Sequence, residues 1–318
     1  MNKKRNIMRI FAVYGIVVVL IVLIALFSII SPRFLTSRNV FTVLTQVAVV
    51  GIVSVGMTMV LITGGIDLSV GGIIGVAVVM LAKMLFAGMN TIIAVLITLA
   101  ISTIIGLFNA FCINELNIPP LITTLGMLTT LRGVAFLITG GLPIFGFKSG
   151  IAVIGKGSLW VIPVPVIIMI IVFLFGILLL ERTKYGRYVY GVGGNEEASR
   201  LSGINVKKIK YMVFSLCGLL SGLAGIVLLA RINSGTPNAG KGYEMDVITA
   251  VVLGGVSIFG GEGRLRFVII GVVIMGVLTN GMVLINVQEY VQWVVKGLVL
   301  IAAVGFDRFV QSRGLRLS

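Results

Sequence analysis

Residues 39–72 read NVFTVLTQVAVVGIVSVGMTMVLITGGIDLSVGG. The stretch 39–66 contains no charged residue, and crossing the hydrocarbon of a bilayer takes about 20 mostly apolar residues in a helix. It therefore reads as one membrane span. The span ends on Gly64-Gly65, meets Asp67 and Ser69, and resumes after Gly71-Gly72, which is the pattern of a helix, a polar break and a restart.

The rest of the chain repeats that pattern. Of its 318 residues, 58% are hydrophobic and 11% charged, with a mean hydropathy of +1.17. Soluble domains carry about 25% charged residues, so a soluble globular protein and a disordered one are both excluded. Further uncharged runs cover 10–32, 84–114, 157–180, 211–230 and 267–288. Apolar runs broken by one charge or by glycine cover 68–88 (with Lys83), 119–139 (with Arg132), 246–260 and 290–308 (with Lys296). The expectation is an all-α integral membrane protein forming a single transmembrane domain over 1–318. About ten spans are expected: 10–30, 39–62, 68–88, 91–113, 119–139, 163–181, 211–231, 246–260, 267–286 and 290–308. The run 246–260 is too short to cross alone and either spans with extra turns or re-enters.

A net charge of +15 would fit a nucleic-acid binder if the basic residues shared one surface. They do not. With the amino terminus inside, sixteen of the 25 Lys and Arg residues fall in cytoplasmic segments: Lys3 to Arg9, the tract 182–210, Arg264 and Arg266, and Arg308 to Arg316. Arg33, Arg38, Lys148, Lys156 and Lys241 fall outside. This is positive-inside topology, with both termini expected in the cytoplasm of a bacterial inner-membrane protein. The run after Lys3-Lys4-Arg5 exceeds a signal peptide's core, so a retained first helix is expected.

Two cysteines far apart and the absence of histidine leave no disulfide framework, no metal spacing and no histidine proton relay. No cofactor is expected. An integral-membrane enzyme would need clustered titratable groups, and the chain offers few buried carboxylates.

An internal echo links 61–72 with 252–261, each an apolar run ending in Gly-Gly, then a short break, then Gly-Gly. One reading is a 5+5 inverted repeat around a transport path; the other is that glycine pairs simply let membrane helices pack closely. Asp67 carries a similar choice. A carboxylate at bilayer depth must be paired, bonded or watered, so it caps a restarted helix or touches cargo directly. Gly64, Gly65, Asp67, Ser69 and Gly71 are accordingly candidates for the path or its gate. Gln46, Asn109 and Asn280 join them as polar residues within spans, together with Thr58, Thr123 and Thr124, each equally able to serve as an interhelical bond. Arg132 takes no role from its pattern.

In the cytoplasmic tract 182–210, Asn195 is a good N-cap, Glu196 and Glu197 suit a first turn, and Gly203 is a natural stop. A short helix of about seven residues is expected, with Glu196 and Arg200 paired at i,i+4 and Ala198 and Leu201 forming a small apolar face. Such a helix can dock in a groove of a soluble partner; a plain basic interfacial loop is the alternative.

Three motifs in order, GGIDLSVGG (64–72), GGNEEASRLSGINV (193–206) and GYEMDVITAVVLGG (242–255), give the chain a resemblance to the permease subunits of ABC-type monosaccharide importers, those for ribose above all. The resemblance implies a roughly ten-helix permease that dimerises around a central path. It also implies two partners, a cytoplasmic ATPase, commonly a fused double cassette, and an extracytoplasmic sugar-binding protein. It makes Gly194, Asn195, Glu196, Glu197, Ala198, Arg200, Leu201 and Gly203 the expected ATPase-coupling segment. Nucleoside, amino-acid and autoinducer importers share the wider superfamily. The chain itself has no G-x-x-x-x-G-K-[ST] loop, so energy comes from another chain or from an ion gradient acting through Asp67.

Overall fold

The computed structural model describes residues 2–147 and 150–312; Lys148, Arg313 and Arg316 of the charge map lie outside the described residues. The chain is almost wholly helical: α1 (Asn2–Ile30), α2 (Ser37–Ile62), α3 (Val70–Phe86), α4 (Thr91–Asn114), α5 (Pro120–Thr139), α6 (Ala152–Lys156), α7 (Val164–Arg182), α8 (Lys184–Gly194), α9 (Glu196–Leu201), α10 (Val206–Ile232), α11 (Tyr243–Leu253), α12 (Leu265–Leu284) and α13 (Glu289–Ser312). A two-stranded antiparallel hairpin, β1 (Ser158–Leu159) and β2 (Ile162–Pro163), precedes α7.

Among the described residues, seven helices are long and apolar enough to cross a membrane: α2, α4, α5, α7, α10, α12 and α13. The apolar stretch Gly15–Ile30 and α3 are shorter, and α11 has 11 residues, about 16 Å of helix against about 30 Å of hydrocarbon. The expected 246–260 run is thus two things: α11, then a glycine-broken loop over 254–264.

The pair at the centre is α2 and α10, which run antiparallel. Gly65 at the end of α2 lies against Phe214 near the start of α10, and at the other end Arg231 donates to the Thr45 carbonyl. Their closeness comes from small residues. A Cβ on Gly56 of α2 would overlap the Cys217 backbone of α10, and α4 joins α10 in the same way, since a Cβ on Gly218 or Gly222 would overlap Ser102 and one on Gly106 the Phe214 carbonyl; without side chains there, the backbones approach closely and dispersion contacts replace them. Outer faces of α4, α5 and α7 expose Ile92, Leu96, Phe108, Ile122, Leu137 and Leu174, as a lipid-facing rim requires.

The helix contacts fall into matching sets. α10 packs on α4 and α3, while α2 packs on α12 and α11; α3 packs on α5, while α11 packs on α13. Both short inner helices, α3 and α11, follow a non-helical stretch, 63–69 and 233–242 respectively.

Candidate functional site

The end of α2 is built by glycine. Gly64 takes φ +79, Gly64 N–H donates to the Leu61 carbonyl and Gly65 N–H to that of Val60, the two bonds of a Schellman stop. The same stop closes α11 at Gly255 (φ +81) and α9 at Gly203 (φ +82).

Beyond Gly65 the chain enters a buried polar knot. Asp67 is fully buried, and its Oδ1 accepts from Ser69 N–H at 2.9 Å and from the Ser69 hydroxyl at 2.6 Å. Asn109 of α4 donates to the Ser69 hydroxyl oxygen at 2.8 Å, Cys217 of α10 lies against the carboxylate, and Thr124 of α5 donates to the Ile66 carbonyl at 3.1 Å. Three helices, α4, α5 and α10, are tied to one irregular segment. The expected capping role takes a different form: α3 starts at Val70 with Ser69 at its N-cap and no side-chain cap bond, so Asp67 holds the turn before the helix rather than the helix's first amides.

Of the path candidates, Gly64, Gly65, Asp67, Ser69 and Asn109 converge here. Gly71 faces the opposite way: a Cβ there would overlap the Glu244 carboxylate of α11. Gln46 sits half-buried near the other end of α2, roughly 24 Å along the helix from Ile62 at 1.5 Å per residue. Asn280 exchanges a pair of amide bonds with Asn39, at 2.9 and 3.0 Å, and Thr58 bonds the Ser54 carbonyl within its own helix. These are helix-to-helix or local bonds away from the knot.

Two ion pairs anchor α11, one of them through Arg132, which its sequence pattern left without a role. Arg132 of α5 meets Glu244 at 2.5 Å, and Lys296 of α13 meets Asp246 at 2.7 Å. The signal was present as one acidic pair and two intraspan cations, but which cation meets which acid is a matter of tertiary distance.

The tract 182–210 holds two helices where one was expected. Thr183 accepts from Gly186 N–H to cap α8, and α9 is the short helix, with Asn195 Oδ1 accepting from Ala198 N–H at 2.9 Å. Its ion pairs differ from the expected one: Arg200 bonds Glu197 at 2.7 Å, and Glu196 bonds Lys210 of α10 at 2.8 Å. Lys210 Nζ donates to both Glu196 oxygens, at 2.9 and 2.8 Å, and Arg200 pairs with Glu197 instead. Ala198 and Leu201 are exposed beside Glu197 and Arg200, Leu201 at 80%.

Glycine also joins the two regions. A Cβ on Gly193 would overlap the Ile62 carbonyl, Gly260 lies against Gly193 and Gly64, and Gly261 against Gly194; Gly261 N–H donates to the Ile62 carbonyl at 2.8 Å. The ends of α2 and α8 and the loop after α11 thus touch backbone to backbone. Tyr190 of α8 fastens the same loop by donating to the Gly263 carbonyl at 2.7 Å. Burial first, and the nearby Glu181 second, raise its hydroxyl pKa, with Arg264 opposing; the phenol stays protonated and keeps donating.

The family described as branched-chain amino acid transport system / permease component matches residues 39–304. The chain belongs to this permease family. It is similar to the ribose import permease protein RbsC of Escherichia coli (strain K12), 45% identical over 284 residues covering 88% of each chain. It is 43% identical to RbsC of Bacillus subtilis (strain 168) over 283 residues, again 88% of each. The L-arabinose transport system permease protein AraH of Escherichia coli (strain K12) is 38% identical over 315 residues, 95% of this chain and 92% of the relative. No solved structure matches the chain. As a permease the chain is a translocation component rather than an enzyme, and a multi-pass membrane protein.

Proposed function

We propose that this chain is the membrane-spanning subunit of an ATP-driven importer that passes a monosaccharide of the ribose or arabinose class to the cytoplasm. The observation that carries this reading is identity above 40% to ribose import permeases over nearly nine tenths of both chains.

On this reading α1, α3 and α11 complete ten membrane segments, with both termini cytoplasmic, in one domain. The matching packing sets support an inverted repeat pairing α2–α5 with α10–α13. In that pairing the counterpart of the α2–α3 break is the α10–α11 break, and the Gly-Gly echo near 252–261 is a spatial neighbour of 61–72. Energy comes from a cytoplasmic ATPase, as a fused double cassette, and an extracytoplasmic binding protein delivers the sugar to two copies of this chain. The exposed face of α9 docks on the ATPase, and its movement reaches the end of α2 through Gly193 and Gly261. Asp67, Ser69 and Asn109 position the α2–α3 turn, because their mutual bonds hold backbone and side chains together. The two faces of the membrane then open alternately.

The test is uptake of ribose and arabinose into proteoliposomes holding the permease, ATPase and binding protein. Uptake that needs ATP and binding protein is expected; uptake of a branched-chain amino acid instead would overturn the sugar assignment. In the same system Glu197→Lys and Gly203→Asp should lose stimulated ATP turnover, and normal turnover in both would sink the docking role of α9.

A further inference from the structure

The amino ends of α3 and α11 face each other where two irregular stretches, 63–69 and 233–242, enter the bundle from opposite ends. Irregular backbone is tolerated inside a membrane protein only where protein buries it or where it lines a wet cavity. Here a cavity of about 120 Å³ lies beside the meeting point, lined by Gly71, Gly75, Arg132, Phe136, Asn238 and Lys241 among others. That volume admits several waters.

Glycine shapes this cavity. The bare Gly71 gives the Glu244 carboxylate its place, and a Cβ on Gly75 would reach only ordinary contact with Pro237, so that face of α3 stays open. The ion pair on the wall is lopsided: the Glu244 side chain is 6% exposed and that of Arg132 44%. Its carboxylate is fixed in protein, while its guanidinium borders the cavity. A guanidinium has five N–H donors, and the bond to Glu244 Oε1 is made through Nη2. The Asp246–Lys296 pair differs, with both side chains below 20% exposure and neither lining the cavity.

We propose that this cavity is a sugar-contact site on the translocation path. Arg132 presents N–H donors to hydroxyl oxygens, Asn238 adds an amide, and the Phe136 ring offers an apolar face to sugar C–H groups. Glu244 is a positioning residue that holds the guanidinium. A neutral polyhydroxyl solute fits because Glu244 neutralises the guanidinium from behind the wall, the ammonium of the other lining cation, Lys241, is held over the Trp293 ring at 4.5 Å, and the contacts are few, which permits release. The proposal rests on the sugar-importer reading above.

The test measures sugar moved per ATP hydrolysed, in proteoliposomes with the complete importer. Arg132→Gln is expected to lower that ratio at least tenfold. The double swap Arg132→Glu with Glu244→Arg keeps an ion pair but moves the guanidinium off α5, and the ratio stays low. Gly75→Val fills the cavity from a position where the first added carbon fits, and it lowers the ratio even if Arg132→Gln fails to assemble. A swap that restores the ratio to within twofold of wild type overturns the contact role and makes the pair a brace. Uptake and ATP turnover falling in parallel, at constant ratio, in every assembled variant overturns it equally. A wild-type complex that moves no monosaccharide but carries another neutral solute defeats the sugar assignment alone, and the same ratios taken with that solute still judge the cavity.

Discussion

The two places where the bundle interrupts an inner helix are built from opposite materials. Between α2 and α3 the break is closed on itself: Asp67 bonds Ser69 twice, Asn109 completes the chain of bonds, and among the described residues no cation pairs with the carboxylate. Between α10 and α11 the break is followed by two carboxylates that reach to other helices, Glu244 to Arg132 and Asp246 to Lys296. A network of short local bonds holds one shape of a turn, whereas ion pairs to separate helices hold the relative positions of those helices. The first junction is thus rigid by construction, and the second is tied to whatever α5 and α13 do.

Substitutions that strip each junction separate these roles. Asp67→Ala strands two buried donors on Ser69, each costing about 1–3 kcal/mol, so a loss of about 4 kcal/mol is expected, seen as a large drop in the melting temperature of the detergent-solubilised chain. Asp67→Asn keeps an acceptor and should cost about 1 kcal/mol in the same assay; an equal loss for both would mean that the negative charge, not the bonding, matters. Asp246→Asn leaves Lys296 largely buried beside a neutral partner, and about 3 kcal/mol is expected, partly recovered in Asp246→Asn with Lys296→Met. Gly64→Ala places a Cβ at φ +79 for about 1–2 kcal/mol. Glu197→Lys breaks only an exposed pair, so unfolding should shift by less than about 0.5 kcal/mol while stimulated ATP turnover is lost.

Much of this was legible along the chain. Uncharged runs located the long helices, and caps and glycine stops located α9, because both signals are local. No helix was expected over 184–194, where Gly186 and Gly193 lower helix propensity; they are there because the Leu180 and Ile62 backbones leave no room for a Cβ. Asp67 stood out by its apolar flanks, but Glu244 and Asp246 did not, since their cations lie far away in sequence. The Glu196–Arg200 pairing failed for the same reason: i,i+4 spacing made Arg200 the local choice, and Lys210 arrived from the next helix.

The contact of Gly193, Gly64 and Gly260 has a mechanical consequence. Side chains at a joint act as springs, because rotamers absorb displacement before passing it on. At this joint peptide planes press on peptide planes, and there is no rotamer to yield. Any displacement of α8 would meet the end of α2 through backbone contact alone, like force through a rod rather than through a cushion. The stiffness of the machine at this point is set by the smallest residue it has.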